Sequence, residues 1–131
     1  ALWLCGYSAT PEHPHVTEAA LGADQLVPWR SAARAAGALA ELRRSGRCVV
    51  ALETVAGATG LTEFQWSFPC ALLLGNERFG LDAELVAQAD ACVRIPVFGR
   101  KNSLNVVSAA AIALHAARCA WEAAAPQGGG Q

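Results

Sequence analysis

Leu72-Leu73-Leu74-Gly75-Asn76-Glu77-Arg78-Phe79-Gly80-Leu81 decides how this chain reads, because an apolar run passes directly into a polar loop bounded by glycines. Two further segments follow it, Arg94-Ile95-Pro96-Val97-Phe98-Gly99 and Ser103-Leu104-Asn105-Val106. Three short loops, each leaving an apolar strand or entering a helix, are the makings of a ligand crevice in an α/β protein.

Working outward, Cys70 to Leu74 and Cys92 to Ile95 predict strands, and Asp82 to Ala89 between them predicts a helix with acidic residues in its first turn. Cys48 to Leu52 is apolar on both faces, as a strand covered by helices on each side must be. From Ser103 to about Ala125 the spacing predicts one long helix with Leu104, Val107, Ala111, Leu114 and Trp121 on or near one stripe.

Upstream, Leu2 to Gly6 predicts a short strand, and Pro11 and Pro14 keep the following loop from becoming helical. Val16 to Leu21 predicts a short helix ended by Gly22, and Leu26 to Trp29 a strand. Ser31 is the expected N-cap of a helix through Arg44, with Ala32, Ala35, Leu39 and Leu42 on one face and Gly46 just beyond its end. Residues 55–60 predict a flexible loop. The aromatics of Phe64-Gln65-Trp66-Ser67-Phe68 could stack on bases or adenine, although filling a core is the commoner role. Such alternation argues for an α/β fold, a mostly parallel sheet flanked by helices.

The 131 residues suffice for one domain, expected over 1–125, with 126–131 as a flexible tail. A composition of 53% hydrophobic and 16% charged residues excludes a disordered chain. No apolar stretch approaches membrane-spanning length and neither terminus resembles a signal peptide, so a cytoplasmic location is expected. Cys5, Cys48, Cys70, Cys92 and Cys119 form no C-x-x-C or Cys/His cluster and read as reduced, small hydrophobes, so no metal is expected. A net charge of −1 does not announce a nucleic-acid binder, but Arg100 and Lys101, with Arg78 and Arg94 near in sequence, could form a basic rim on the crevice. Ordinary solvated surface charge explains them as well.

The three loops, in this order and with these gaps, resemble the C-terminal motifs of the SpoU/TrmH branch of the SPOUT methyltransferases. Looser matches in Leu4-Cys5-Gly6-Tyr7 with Pro11, and in Ala20-Leu21-Gly22-Ala23, extend the likeness from residue 1 to about Trp121. The resemblance implies a C-terminal trefoil knot, in which the segment after Ile95 threads an earlier loop. It further implies S-adenosylmethionine as cofactor, methyl transfer to a ribose 2′-hydroxyl of tRNA or rRNA, and a homodimer with the helix carrying Leu114, Arg118 and Trp121 as a contact surface.

By motif match the cofactor-binding positions are Leu74, Gly75, Asn76, Glu77, Ile95, Pro96, Ser103, Leu104, Asn105 and Ala109, with Leu52 and Glu53 as a further lining element. Gly75 is expected to let backbone approach the cofactor without a Cβ in the way. Glu77 and Asn105 carry the expected catalytic roles, and Arg78, Arg100 and Lys101 the RNA contacts. For Asn105 a local capping interaction with Ser103 or Asn102 is the competing explanation, and for Glu77 a surface pairing with Arg78. The family's N-terminal arginine motif, which aids deprotonation of the hydroxyl, has no counterpart here, since no Arg precedes Arg30. The expectation is a shortened methyltransferase, with a catalytically incomplete, homodimeric cofactor- or RNA-binding module of the same fold as the alternative. A flavodoxin-like binding domain fits the periodicity but not the three motifs.

Overall fold

The computed structural model describes residues 1–100 and 103–125. Contacts within the chain fall into two compact units, Ala1–Glu41 and Leu42–Gln131.

In the first unit, β1 (Leu2–Cys5) is followed by α1 (Pro14–Ala20), α2 (Ala23–Leu26) and β2 (Trp29–Ala32), and α3 (Ala35–Arg44) begins here. β1 and β2 pair in parallel, Leu2 opposite Trp29 and Cys5 opposite Ala32. Three expectations change. Pro14 does not exclude helix but starts α1, where its missing N–H costs nothing and its fixed φ suits the first turn. The strand expected at 26–29 lies at 29–32, because 23–26 form a helical turn after Gly22 at φ +89°. Ser31 is consequently a strand residue, not a cap, and α3 starts at Ala35.

The second unit holds β3 (Cys48–Leu52), β4 (Thr59–Gly60), β5 (Cys70–Leu74), α4 (Ala83–Gln88), β6 (Ala91–Arg94) and α5 (Val106–Ala124). Its strands order β4-β6-β3-β5, every pairing parallel. β3 and β5 occupy the predicted positions. β3, an inner strand, buries Val49, Val50 and Ala51 completely, whereas β5 at the sheet's edge is only half-buried throughout. The supposed loop at 55–60 contains β4, whose two residues complete the other edge beside Val93 and Arg94. Asp90 fixes the entry to β3: its carboxylate accepts from the Val49 amide at 2.8 Å and pairs with Arg43 at 3.1 Å.

The core joins Val50, Leu61, Val93 and Ala113, with Phe64, Trp66, Leu72 and Ile95 packed around them. Of the aromatic run, Phe64 and Trp66 belong to the core, where they meet edge to face at 5.0 Å. On α5 the expected stripe is reversed. Ala113 and Ala117 are buried, with Ala109, Ala110 and Ala116 half-buried on the same face, while Val107 (70%), Leu114 (56%) and Trp121 (45%) are exposed. Small side chains let the helix lie close to its neighbours, so its large apolar residues point outward.

A crevice built by three loops

The site begins with why 75–81 folds as it does. The Asn76 and Gly80 backbones bond each other, N to O at 3.1 and 2.8 Å, closing a tight loop. Inside it the Asn76 side-chain oxygen accepts from the Arg78 amide at 2.8 Å, an Asx turn. Gly80 turns the chain at φ +68°. A Cβ on Gly75 would lie 2.3 Å from the Gly80 carbonyl carbon, so the glycine is required by the loop's own closure. The loop's closure thus demands a glycine at a position that also lines the crevice.

Glu53 ties the first loop to the end of β3. Its Oε2 accepts from the Leu81 amide at 2.8 Å and its Oε1 from the Thr54 amide at 2.9 Å. The carboxylate thus braces the loop while its side chain lines the crevice.

Residues leaving β3, β5 and β6 and those entering α5 enclose a crevice of about 270 Å³, close to the lower end of small-molecule sites at roughly 300 Å³. An adjoining recess of about 390 Å³ shares Glu53, Arg94, Ile95 and Ser103. From the ends of β3 and β5, Leu52, Glu53, Leu74, Gly75, Asn76, Glu77 and Arg78 line the crevice. From the other two motifs, Ile95, Ser103, Leu104 and Ala109 do so. The sequence therefore brought together residues as far apart as Leu52 and Ala109.

Three expected residues do not line it. Pro96 lies between the lining residues Ile95 and Val97, and Arg100 falls outside the lining set. Asn105 is the N-cap of α5, its side-chain oxygen accepting from the Val107 and Ser108 amides at 2.9 and 3.4 Å. The capping attributed to Ser103 or Asn102 belongs to Asn105 itself, and the helix begins three residues later than predicted because its first free amides meet this side chain. Lys101, Asn102 and the tail at 126–131 lie outside the described residues. The crevice also takes in Thr54, Phe79, Gly80, Val97 and Val106, which the sequence reading did not assign to it. Their place inside or beside the three motifs was the available signal.

The lining is chemically mixed. Leu52, Leu74, Ile95 and Leu104 offer apolar wall, and the loops offer backbone donors and acceptors. Glu77 makes no ion pair or side-chain hydrogen bond with the described residues, so its carboxylate is available to a ligand. Arg94 is held at its rim by a 3.2 Å bond from Nε to the Ala58 carbonyl. An adenosyl group needs an apolar slot edged by backbone polar atoms, and a sulfonium benefits from nearby carboxylates; Glu53 and Glu77 with the four apolar residues supply both.

The sequence matches the SpoU rRNA Methylase family over residues 1–115. The chain belongs to this family. Among its relatives is the Escherichia coli tRNA (guanosine(18)-2′-O)-methyltransferase, 30% identical over 103 residues, which are 79% of this chain and 45% of that protein. The Saccharomyces cerevisiae tRNA (guanosine(18)-2′-O)-methyltransferase is 30% identical over 79% of this SpoU-family chain and 7% of its own length. The chain spans less than half the length of these curated relatives. The fold matches the AdoMet-bound rRNA methyltransferase from Sinorhizobium meliloti with a TM-score of 0.82 and 34% identity, over 89% of this chain and 44% of the other. The SpoU methyltransferase AviRb from Streptomyces viridochromogenes, in complex with AdoMet, matches with a TM-score of 0.75 and 25% identity, over 92% and 49%. The α/β fold with a mostly parallel sheet and flanking helices is thus the family's.

Proposed function

We propose that this chain forms the cofactor-binding part of an S-adenosylmethionine-dependent methyltransferase acting on a ribose 2′-hydroxyl of tRNA or rRNA. The observation that carries the reading is the crevice itself: three family motifs, separated in sequence, line one cavity with Leu74, Glu77, Ile95 and Leu104. Relatives named for 2′-O-methylation of tRNA and an AdoMet-bound structural neighbour support it.

When bound, the cofactor supplies an electrophilic methyl group on a sulfonium. The protein's part is then to bind, orient and assist the hydroxyl, which is a weak nucleophile until its proton has somewhere to go. Leu52, Leu74, Ile95, Leu104 and Ala109 form the apolar wall, and the loop around Gly75 and Asn76 offers backbone polar atoms. Glu77, its carboxylate unpaired among the described residues, is the group suited to orient the ribose hydroxyl or accept its hydrogen bond. Asn105 contributes by fixing where α5 begins, which sets Leu104, Val106 and Ala109 against the crevice; its amide NH2 remains as a donor. Pro96 shapes the loop between two lining residues. Arg78, with Arg100 and Lys101, would meet RNA phosphates.

The remaining parts of the reading are a trefoil knot formed by these motif loops, one methyltransferase domain over 1–125, a cytoplasmic location and a homodimer. Exposed Leu114 and Trp121, with Arg118 stacked at 4.7 Å on the Trp121 ring, support α5 as the dimer contact. No helix among the described residues is long and apolar enough to cross a membrane.

The test is incubation with methyl-labelled S-adenosylmethionine and unmodified tRNA or rRNA, followed by alkaline hydrolysis. Label in alkali-resistant dinucleotides is the expected result, since a methylated 2′-oxygen cannot attack the neighbouring phosphate. Label absent from RNA, in a chain that binds the cofactor, would favour the binding-module alternative.

A further inference from the structure

Beside the apolar wall of Leu52, Leu74, Ile95, Leu104 and Ala109, the loop at 75–81 adds an aromatic side chain to the crevice lining. Phe79 lines the crevice mouth yet is 81% exposed, although a phenylalanine gains by burial. The loop is no floppy excursion that happens to display it. Two backbone bonds between Asn76 and Gly80, the Asn76 side chain on the Arg78 amide and the Glu53 carboxylate on the Leu81 amide hold the residues on either side. Arg78 places its guanidinium over the ring, 5.5 Å from the centroid, so a cation meets one face while the ring as a whole stays 81% exposed.

A rigidly mounted, exposed aromatic with a guanidinium next to it, at the mouth of a cavity, has the properties of a stacking platform for a splayed nucleobase. Every base offers a π face, and the neighbouring cation meets the backbone phosphate. We propose that Phe79 stacks on an unpaired base of the RNA substrate and so positions the adjoining ribose at the crevice. The inference rests on the methyltransferase reading for its reaction, but the stacking contact is separable from it. Preorganisation by the clamped loop means that little backbone freedom is lost on contact.

The experiment uses the full chain, a short fluorescein-labelled oligoadenylate and a ribose-phosphate oligomer of the same length without bases, with binding read by anisotropy. S-adenosylhomocysteine binding is measured alongside by calorimetry. Phe79→Ala is expected to weaken oligoadenylate binding about tenfold and to abolish the preference over the base-free oligomer. Phe79→Trp is expected to restore both, and the loss in Phe79→Ala should fall on the oligonucleotide far more than on S-adenosylhomocysteine. Oligoadenylate affinity unchanged in Phe79→Ala, equal binding of both oligomers by the parent chain, or a loss falling mainly on S-adenosylhomocysteine would each overturn the proposal. A parent chain that binds oligoadenylate through Phe79 but takes up no S-adenosylhomocysteine would leave the stacking role standing and refute the methyltransferase reading instead.

Discussion

The Glu53 carboxylate accepts a hydrogen bond from the Leu81 amide at 2.8 Å, joining the end of β3 to the close of the 75–81 loop across 28 residues of sequence. A charged acceptor on a backbone amide is among the stronger hydrogen bonds, typically about 1.5–3 kcal/mol. Glu53→Ala should therefore lower stability by roughly that amount and loosen the loop, with S-adenosylhomocysteine affinity falling at least tenfold. Glu53→Gln keeps an acceptor oxygen and should recover much of both. Thermal denaturation and calorimetry read the two effects, and an Ala variant indistinguishable from the parent would remove Glu53 from the brace.

Gly75 tests the same loop by sterics. Its φ is not in the left-handed region, so Gly75→Ala carries no backbone strain of its own; the cost comes from a Cβ placed 2.3 Å from the Gly80 carbonyl carbon. Overpacking of this kind costs about 1–3 kcal/mol. A fall in melting temperature is expected, accompanied by loss of ligand affinity. Gly37, whose Cβ would meet nothing within 4 Å, is the control, and Gly37→Ala should leave affinity as it was.

Asn105 separates capping from chemistry. Its oxygen caps two amides of α5, and removal of such a cap costs about 1 kcal/mol. Asn105→Ala should show that loss in denaturant melts, whereas Asn105→Asp, which keeps the acceptor, should not. If Asn105→Asp retains stability but loses methyl transfer, the side-chain NH2 has a role beyond the cap; if both are retained, capping is the whole of it.

The cysteines differ in reactivity. Cys5, Cys48, Cys70 and Cys92 are partly buried and burial pushes each thiol above its ordinary value, with Asp90 adding to the effect at Cys48. A raised value means less thiolate at any given pH, so iodoacetamide at pH 8 should modify exposed Cys119 first. The folded thiols favour the protonated form, so their contribution to stability is complete below the unfolded value near 9 and is lost as pH rises through the folded values. Mass spectrometry of the alkylated chain checks the order, and faster labelling of Cys70 than of Cys119 would contradict it.

Much of this arrangement was legible in the sequence, and the exceptions share a cause. β3 and β5 were found at their actual boundaries because Cys48–Leu52 and Cys70–Leu74 are unbroken apolar runs of strand length. Of the crevice residues expected from the sequence, Leu52 and Leu74 end β3 and β5, Ala109 lies in the first turn of α5, and the others lie in loops that leave strands or enter α5. Missed features depended on partners remote in sequence. Thr59 and Gly60 become strand only because β6 lies beside them, and Ser31 looks like a cap until Leu4 pairs with it. The outward turn of Val107, Leu114 and Trp121 was hidden because hydrophobicity scales rank the residues that alanine displaced from the buried face as the core. Nothing local marks Glu53 as the brace for Leu81, since that contact exists only after β3 and β5 are side by side.

The central claim is that the three motif loops form a pocket for S-adenosylmethionine, and calorimetric titration of the 131-residue chain with S-adenosylhomocysteine tests it most directly. The account predicts saturable binding at one site per chain, abolished by Gly75→Leu while the variant remains folded by circular dichroism. Absence of saturable binding by the folded parent chain, or binding that survives Gly75→Leu unchanged, would contradict it.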